Sequence, residues 1–92
     1  MQVERTNTFA KVLRKLHANQ KHDLDEAVRA IIADPSIGEM KVGELANMAV
    51  YKFRMSGQIT LLAYTSNDGT ITLMLFAVGA HETFYRDLKR QI

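Results

Sequence analysis

The sequence predicts an α+β domain in which two N-terminal helices pack on a small antiparallel β-meander and a short C-terminal helix follows. Three observations support this. Helical periodicity fills the first third of the chain, two-residue alternation begins near Ala49, and Asp68-Gly69 marks a tight hairpin turn. At 92 residues the chain accommodates one domain around one hydrophobic core, which we assign to residues 1–92.

The first helix is predicted from apolar residues that recur at helical spacing. They fall at i, i+3, i+4 and i+7 and therefore share one face: Phe9, Val12, Leu13 and Leu16. Ahead of this helix, Gln2–Arg5 can form an additional short strand.

A second helix is predicted from a longer apolar stripe, formed by Leu24, Ala27, Val28, Ile31 and Ile32. The polar run 19–22 interrupts the pattern, so we expect the helix to begin at Asp23. Asp23 would cap it, with Glu26 three residues later as in a capping box. Pro35 is expected to end the helix, because the residue before a proline avoids the helical region.

The strands are predicted from alternation and turn residues. Ala49–Met55 alternates, Ser56-Gly57 is a turn, and an apolar second strand runs from Gln58 to Tyr64. Asp68-Gly69 tolerates the positive φ angles of a tight turn, and the third strand then spans Thr70–Val78. Gly79 ends it, and 82–90 is predicted to form the closing helix.

Composition excludes several classes of site. Without cysteine there is no disulfide and no thiolate metal site, and His17, His22 and His81 lack metal-ligand spacing. There is also no glycine-rich phosphate loop. We therefore expect no metal and no cofactor. No apolar run approaches the ~20 residues of a membrane helix, so we expect no membrane partner and a cytoplasmic location.

The first candidate functional feature is a pair of cations on the first meander strand. Tyr51 and Phe53 face one side, whereas Lys52 and Arg54 face the other with no acid between them. Two fixed cations on one face suit phosphate. The alternative interpretation is that they are solvated residues on an exposed sheet face.

The second candidate feature is the segment after the last strand. His81 and Tyr85, close to the start of a helix, would supply proton transfer and base stacking. The alternative is that His81 is a surface residue and Tyr85 packs in the core.

Basic helix faces are the third feature. They give the candidate RNA-binding residues Lys11, Arg14 and Lys15 on the first helix and Arg86, Lys89 and Arg90 on the last. The alternative interpretation is that these are ordinary solvated faces.

In its order of elements and several short motifs, the chain resembles the RelE/ParE superfamily of toxins from bacterial type II toxin–antitoxin systems. The motifs are Tyr51-Lys52-Phe53-Arg54, the passage from Asp34-Pro35 through Gly38 to Gly43-Glu44-Leu45, and the closing Ala77-Val78-Gly79, His81-Glu82 and Phe84-Tyr85-Arg86. The likeness covers nearly the whole chain.

The resemblance implies a toxin with an antitoxin partner, which would bury the Lys52/Arg54 face or displace the terminal helix. RelE-like members cleave messenger RNA on the ribosome without a metal and leave a 2′,3′-cyclic phosphate. By resemblance, Lys52 matches a catalytic lysine, Arg54 stands where a second lysine is usual, Tyr85 matches a C-terminal tyrosine, and His81 takes the place of an arginine. These four are the predicted catalytic residues.

One departure keeps an alternative open. RelE-like toxins usually carry an arginine just after the first meander turn, and 58–62 contains none. ParE-like members instead inhibit DNA gyrase without catalysis, which would explain this absence. A third option is an inactive interaction module of the same fold.

Overall fold

The structure is a computed structural model that describes residues 2–41, 47–67 and 69–78. Two α-helices, a single 3₁₀ turn and five strands are present in these ranges. In chain order they are β1 (Gln2–Arg5), α1 (Asn7–Arg14), α2 (Ala18–Ala33), the 3₁₀ turn (Pro35–Ile37), β2 (Glu39–Met40), β3 (Ala49–Met55), β4 (Gln58–Asn67) and β5 (Thr70–Val78).

The strands form one mixed sheet in the order β1-β5-β4-β3-β2. The antiparallel meander β3-β4-β5 confirms the prediction, and so does the short strand at Gln2–Arg5. β1 is parallel to β5, and β2 adds an antiparallel edge beside β3. The sheet is therefore mixed and wider than the predicted meander. β2 was not predicted, because two residues carry no detectable alternation.

The side chain of Thr6 joins the start of α1 to an irregularity in the sheet. Its hydroxyl accepts a hydrogen bond from the Phe9 N–H (3.3 Å) and donates one to the carbonyl of Met74 (2.6 Å). The β4–β5 register skips Met74, because Ala63 pairs with Leu75 and Tyr64 with Leu73. Thr6 thus caps α1 and uses the bulged carbonyl at the same time.

The predicted beginning of α2 at Asp23 is wrong. The helix begins at Ala18, and the Gln20 side chain accepts a hydrogen bond from the backbone N–H of the N-cap His17 (2.8 Å). This capping contact satisfies the backbone at the start of the helix, so the polar first turn can form without an apolar stripe. The predicted end is confirmed, since α2 stops at Ala33, just before Asp34-Pro35.

Both helices pack on the same face of the sheet. α2 lies against β3 and α1 against β5. The core between these layers contains residues of both helices and of the three central strands: Phe9, Leu24, Ile31, Ala49, Met55, Leu62, Tyr64, Ile71 and Leu73. Tyr51 and Phe53, which stack with ring centroids 6.0 Å apart, pack against this core as partly buried residues.

Tyr64 connects the central strand to the segment after α2. Its hydroxyl donates to the carbonyl of Pro35 (2.7 Å) and accepts from the backbone N–H of Gly38 (3.0 Å). Burial raises the pKa of Tyr64, only partly offset by the Gly38 hydrogen bond, so the hydroxyl keeps its proton. A Cβ at Gly38 would lie only 2.5 Å from that hydroxyl, so this position requires glycine.

Asp34 shapes the same segment from its other end. Its carboxylate accepts hydrogen bonds from the Ser36 hydroxyl (2.6 Å) and the Ser36 N–H (3.1 Å), and these lower the pKa of Asp34. Each residue of the Asp34-Pro35…Gly38 motif therefore has a structural role. Asp34 caps the 3₁₀ turn, Pro35 ends α2, and Gly38 allows the close approach to Tyr64.

The turns and strands of the meander follow the prediction closely. Ser56 and Gly57 both have positive φ (51° and 83°), as a tight two-residue turn requires. β4 continues three residues beyond the predicted Tyr64, as far as Asn67, because it stays paired with β5 up to the next turn.

The predicted closing helix at 82–90 lies outside the described residues. Within the described ranges, no helix is long and apolar enough to cross a membrane.

We predict that Tyr64→Phe destabilises the fold by about 1–3 kcal/mol, because it leaves the buried Gly38 N–H and the partly buried Pro35 carbonyl without their partner. Tyr51→Phe is the matched control; Tyr51 is only partly buried, and we expect a change within about 0.5 kcal/mol. Urea unfolding of the two variants measures both effects. Equal stability of both variants and the parent chain would contradict the role given to the hydroxyl.

Candidate functional site

Lys52 and Arg54 lie on the face of the sheet that points away from the helices. Both are exposed, whereas Tyr51 and Phe53 between and beside them face the core. Two residues of a strand span about 6.8 Å, so the two cations are held at a fixed separation on a rigid backbone. The structure confirms the shared face that the alternation predicted.

This face is not simply solvated, because apolar residues next to the cations are buried. Val50, Leu61 and Ala63 are 6%, 2% and 0% exposed, and Lys52 is the cross-strand partner of Leu61. Ile59, opposite Arg54, leaves 37% of its surface exposed. The cations therefore stand at the margin of an apolar patch, where a charge interaction is less screened than in open water.

The β3–β4 turn fixes the position of Arg54. The Arg54 guanidinium donates a hydrogen bond from Nη1 to the Gly57 carbonyl, at 3.4 Å. The turn is itself held from α2, since the Asp23 carboxylate accepts the Ser56 N–H at 2.8 Å. Asp23, which the sequence suggested as a helix cap, instead anchors the turn that supports Arg54.

A small cavity of about 230 Å³ lies between α2 and β3. Its lining combines two carboxylates, the aromatic pair and Arg54: Asp23, Glu26, Ala27, Tyr51, Phe53 and Arg54. Glu26 is within 3.3 Å of the His22 ring on the same helix. The cavity therefore combines acidic and basic side chains with an aromatic wall formed by Tyr51 and Phe53.

At the neighbouring sheet edge an acid is already neutralised. Glu39 is paired with Val50 across β2 and β3, so it shares the face of Lys52. Its carboxylate lies 3.2 Å from the Lys41 ammonium group. Among the described residues, neither Lys52 nor Arg54 forms an ion pair.

The other predicted site residues fall in two groups. Lys11, Arg14 and Lys15 are exposed on or just after α1, on the helix side of the sheet, so the structure does not bring them together with Lys52 and Arg54. Lys11 and Arg14 also complement the dipole in the last turn of α1. His81, Tyr85, Arg86, Lys89 and Arg90 lie outside the described residues.

The described part of the site presents two cationic side chains, Lys52 and Arg54, and this chemistry suits a phosphate group. Among the described residues no group of three or more His, Asp or Glu side chains is placed to hold a metal ion.

A comparison with known protein families shows which family the chain belongs to. A family model described as the ParE-like toxin of type II bacterial toxin–antitoxin systems matches residues 3–89. The chain belongs to this family. No curated protein sequence matches the toxin.

Solved structures show the same fold at low sequence identity. RelE in the intact E. coli RelBE toxin–antitoxin complex has a TM-score of 0.69 and 18% identity, over 87% of the toxin and 98% of RelE. Isolated E. coli RelE has a TM-score of 0.67 and 17% sequence identity, and the match covers 99% of this chain and 98% of RelE. A conserved protein from Helicobacter pylori has a TM-score of 0.53 and 15% sequence identity, and the match covers 89% of this chain and 96% of that protein. The RelE-like fold of the toxin is thereby established.

We predict that Asp23→Ala loosens the β3–β4 turn and lowers stability by about 0.5–1.5 kcal/mol, the usual contribution of one hydrogen bond. Asp25→Ala on the same helix is the control, because it removes only an exposed ion pair with Arg29 and should cost less than about 0.5 kcal/mol. Amide hydrogen exchange at Ser56 should accelerate in the first variant alone. Unchanged exchange at Ser56 would show that Asp23 does not hold the turn.

Proposed function

We propose that the toxin is a ribosome-dependent endoribonuclease that cleaves messenger RNA and so stops translation. The observation that carries this is the pair Lys52 and Arg54, exposed on one face of β3 beside a buried apolar patch. The similarity of the fold to E. coli RelE supports it further. The ribosome and its messenger RNA would be the partners besides the antitoxin, and the toxin would then act in the cytoplasm.

The proposed reaction is an internal transfer at one phosphodiester. The ribose 2′-oxygen attacks the adjacent phosphorus, the bond to the 5′-oxygen of the next nucleotide breaks, and the products are a 2′,3′-cyclic phosphate and a free 5′-hydroxyl. Charge on the phosphate oxygens grows during attack. Lys52 and Arg54 would stabilise that charge, and donors placed in this way are typically worth about 2.7–4 kcal/mol each.

Proton transfer is assigned to His81 and Tyr85. One would help to remove the 2′-hydroxyl proton, and the other would protonate the departing 5′-oxygen or stack on a base. Histidine suits either role near neutral pH, whereas tyrosine would need a lowered pKa to act as a base. The basic residues of α1 and of 86–90 would contribute contacts to RNA backbone phosphates.

The second candidate is non-catalytic inhibition of DNA gyrase. Two observations favour it: β4 contains no arginine, and the matching family is named for ParE. Under this alternative, Lys52 and Arg54 would bind a protein surface or DNA rather than a reacting phosphate.

We predict that Lys52→Ala/Arg54→Ala abolishes cleavage of a messenger RNA in a reconstituted translation system, with a loss of at least about 100-fold. Arg29 is an exposed cation on the helix side of the sheet, and the Arg29→Ala variant should cleave at the rate of the parent toxin. Primer extension of the message gives the cut sites and rates.

The fold of each variant is checked by thermal unfolding. A folded double variant that cuts at the parental rate would refute the proposed site. If the parent toxin leaves the message intact but blocks DNA supercoiling by gyrase, the second candidate takes its place.

A further inference from the structure

The small cavity between α2 and β3 holds opposite charges that do not pair with each other. Asp23 and Glu26 contribute carboxylates from α2, and Arg54 contributes a guanidinium group from β3. Among the described residues, no ion pair joins Arg54 to either carboxylate. Acceptors and donors therefore line one space of about 230 Å³ without closing it.

Each of the three charged groups is oriented by one contact and keeps further hydrogen-bonding capacity. Asp23 Oδ2 and Arg54 Nη1 bond the backbone of the β3–β4 turn, at 2.8 Å and 3.4 Å. Glu26 Oε1 lies 3.3 Å from Nε2 of His22. A carboxylate has a second oxygen and a guanidinium group has five N–H donors. Acceptors on the α2 side and donors on the β3 side thus remain for a ligand.

Tyr51 and Phe53 form the aromatic wall of the cavity. Their rings are nearly parallel, with centroids 6.0 Å apart and an interplanar angle of 11°. Flat rings of this kind are surfaces on which planar groups stack. β2 pairs only with Ala49 and Val50, so within the described ranges the rest of β3 has a neighbouring strand on one side alone. The described strands therefore leave this edge of the wall uncovered.

The lining selects a class of ligand. A cation would meet the Arg54 guanidinium and an anion would meet two carboxylates, so the best fit is a neutral group with donors on one side and acceptors on the other. The aromatic wall favours a planar ligand. At about 230 Å³ the cavity is smaller than the roughly 300–1,000 Å³ of sites for drug-sized ligands, and it suits a single ring system. A nucleobase has all of these properties.

We propose that this cavity binds a guanine base of single-stranded RNA, stacked on Tyr51 and Phe53. Guanine has two neighbouring donors, N1–H and the N2 amino group, for the carboxylates, and two acceptors, O6 and N7, for Arg54. Adenine has an acceptor at N1, which would face a carboxylate. Arg54 also belongs to the cation pair, so the base lies next to the proposed phosphate site. The inference deepens the proposed function and rests on it for the identity of the nucleic acid.

The test is a titration of the full-length toxin with guanosine, inosine and adenosine 5′-monophosphates, followed by NMR at the Tyr51 and Phe53 rings and the Ala27 methyl group. The three probes share a ribose and a phosphate, so any phosphate binding by Lys52 and Arg54 contributes equally. Inosine differs from guanosine only in lacking the N2 amino group. We expect guanosine monophosphate to bind at least about fivefold more tightly than either of the others.

A variant of one carboxylate tests the assigned contact. Glu26→Gln replaces a charged acceptor by an amide, and we expect the preference for guanosine over inosine to fall to within about twofold. Asp25→Asn is the matched control, because Asp25 is exposed on the same helix, pairs with Arg29 and does not line the cavity. It should keep the full preference. Thermal unfolding checks that both variants are folded.

Three results would overturn the proposal. They are equal affinity for the three nucleotides, which would mean that only the phosphate binds, an equal loss of preference in the Asp25→Asn control, and the absence of shifts at the aromatic wall. Binding is measured without ribosomes or messenger RNA. A toxin that prefers guanosine monophosphate but leaves messages intact would therefore contradict the proposed function and not the pocket.

Discussion

The hydroxyl group of Tyr64 fixes the segment after α2 against the central strand of the sheet. It lies in the middle of the central strand and bonds both the Pro35 carbonyl and the Gly38 N–H, so the chain leaving α2 is fixed against the sheet. Gly38 provides the space that this approach needs. β2 begins directly afterwards and pairs with β3. The two hydrogen bonds of this hydroxyl thus link the segment after α2 to the sheet that contains the cation pair.

The two faces of β3 have different surroundings. Tyr51 and Phe53 face the helices and pack against the core, whereas Lys52 and Arg54 face outward. The paired strand fixes the backbone positions of both cations, at a spacing of two residues. Asp23 extends this rigidity to the tip of the strand, through the turn that receives the Arg54 guanidinium.

The local patterns predicted β3 and β5 to the residue, because alternation and turn residues act over short distances. The beginning of α2 was mispredicted at Asp23 because Gln20 capped the helix earlier through a contact that periodicity does not report. Neither β2 nor the Asp23–Ser56 contact could be predicted, since each depends on residues distant in sequence. Lys52 and Arg54 were predicted to share a face. The buried apolar patch beside them could not be predicted, because it depends on the register between β3 and β4.

The proposed target of the toxin is translation. Pulse labelling of cells within minutes of inducing the toxin without its antitoxin tests it most directly, with protein and DNA synthesis followed in parallel. We expect protein synthesis to fall first, while DNA synthesis continues. An early fall in DNA synthesis with translation intact would contradict it and assign the toxin to gyrase.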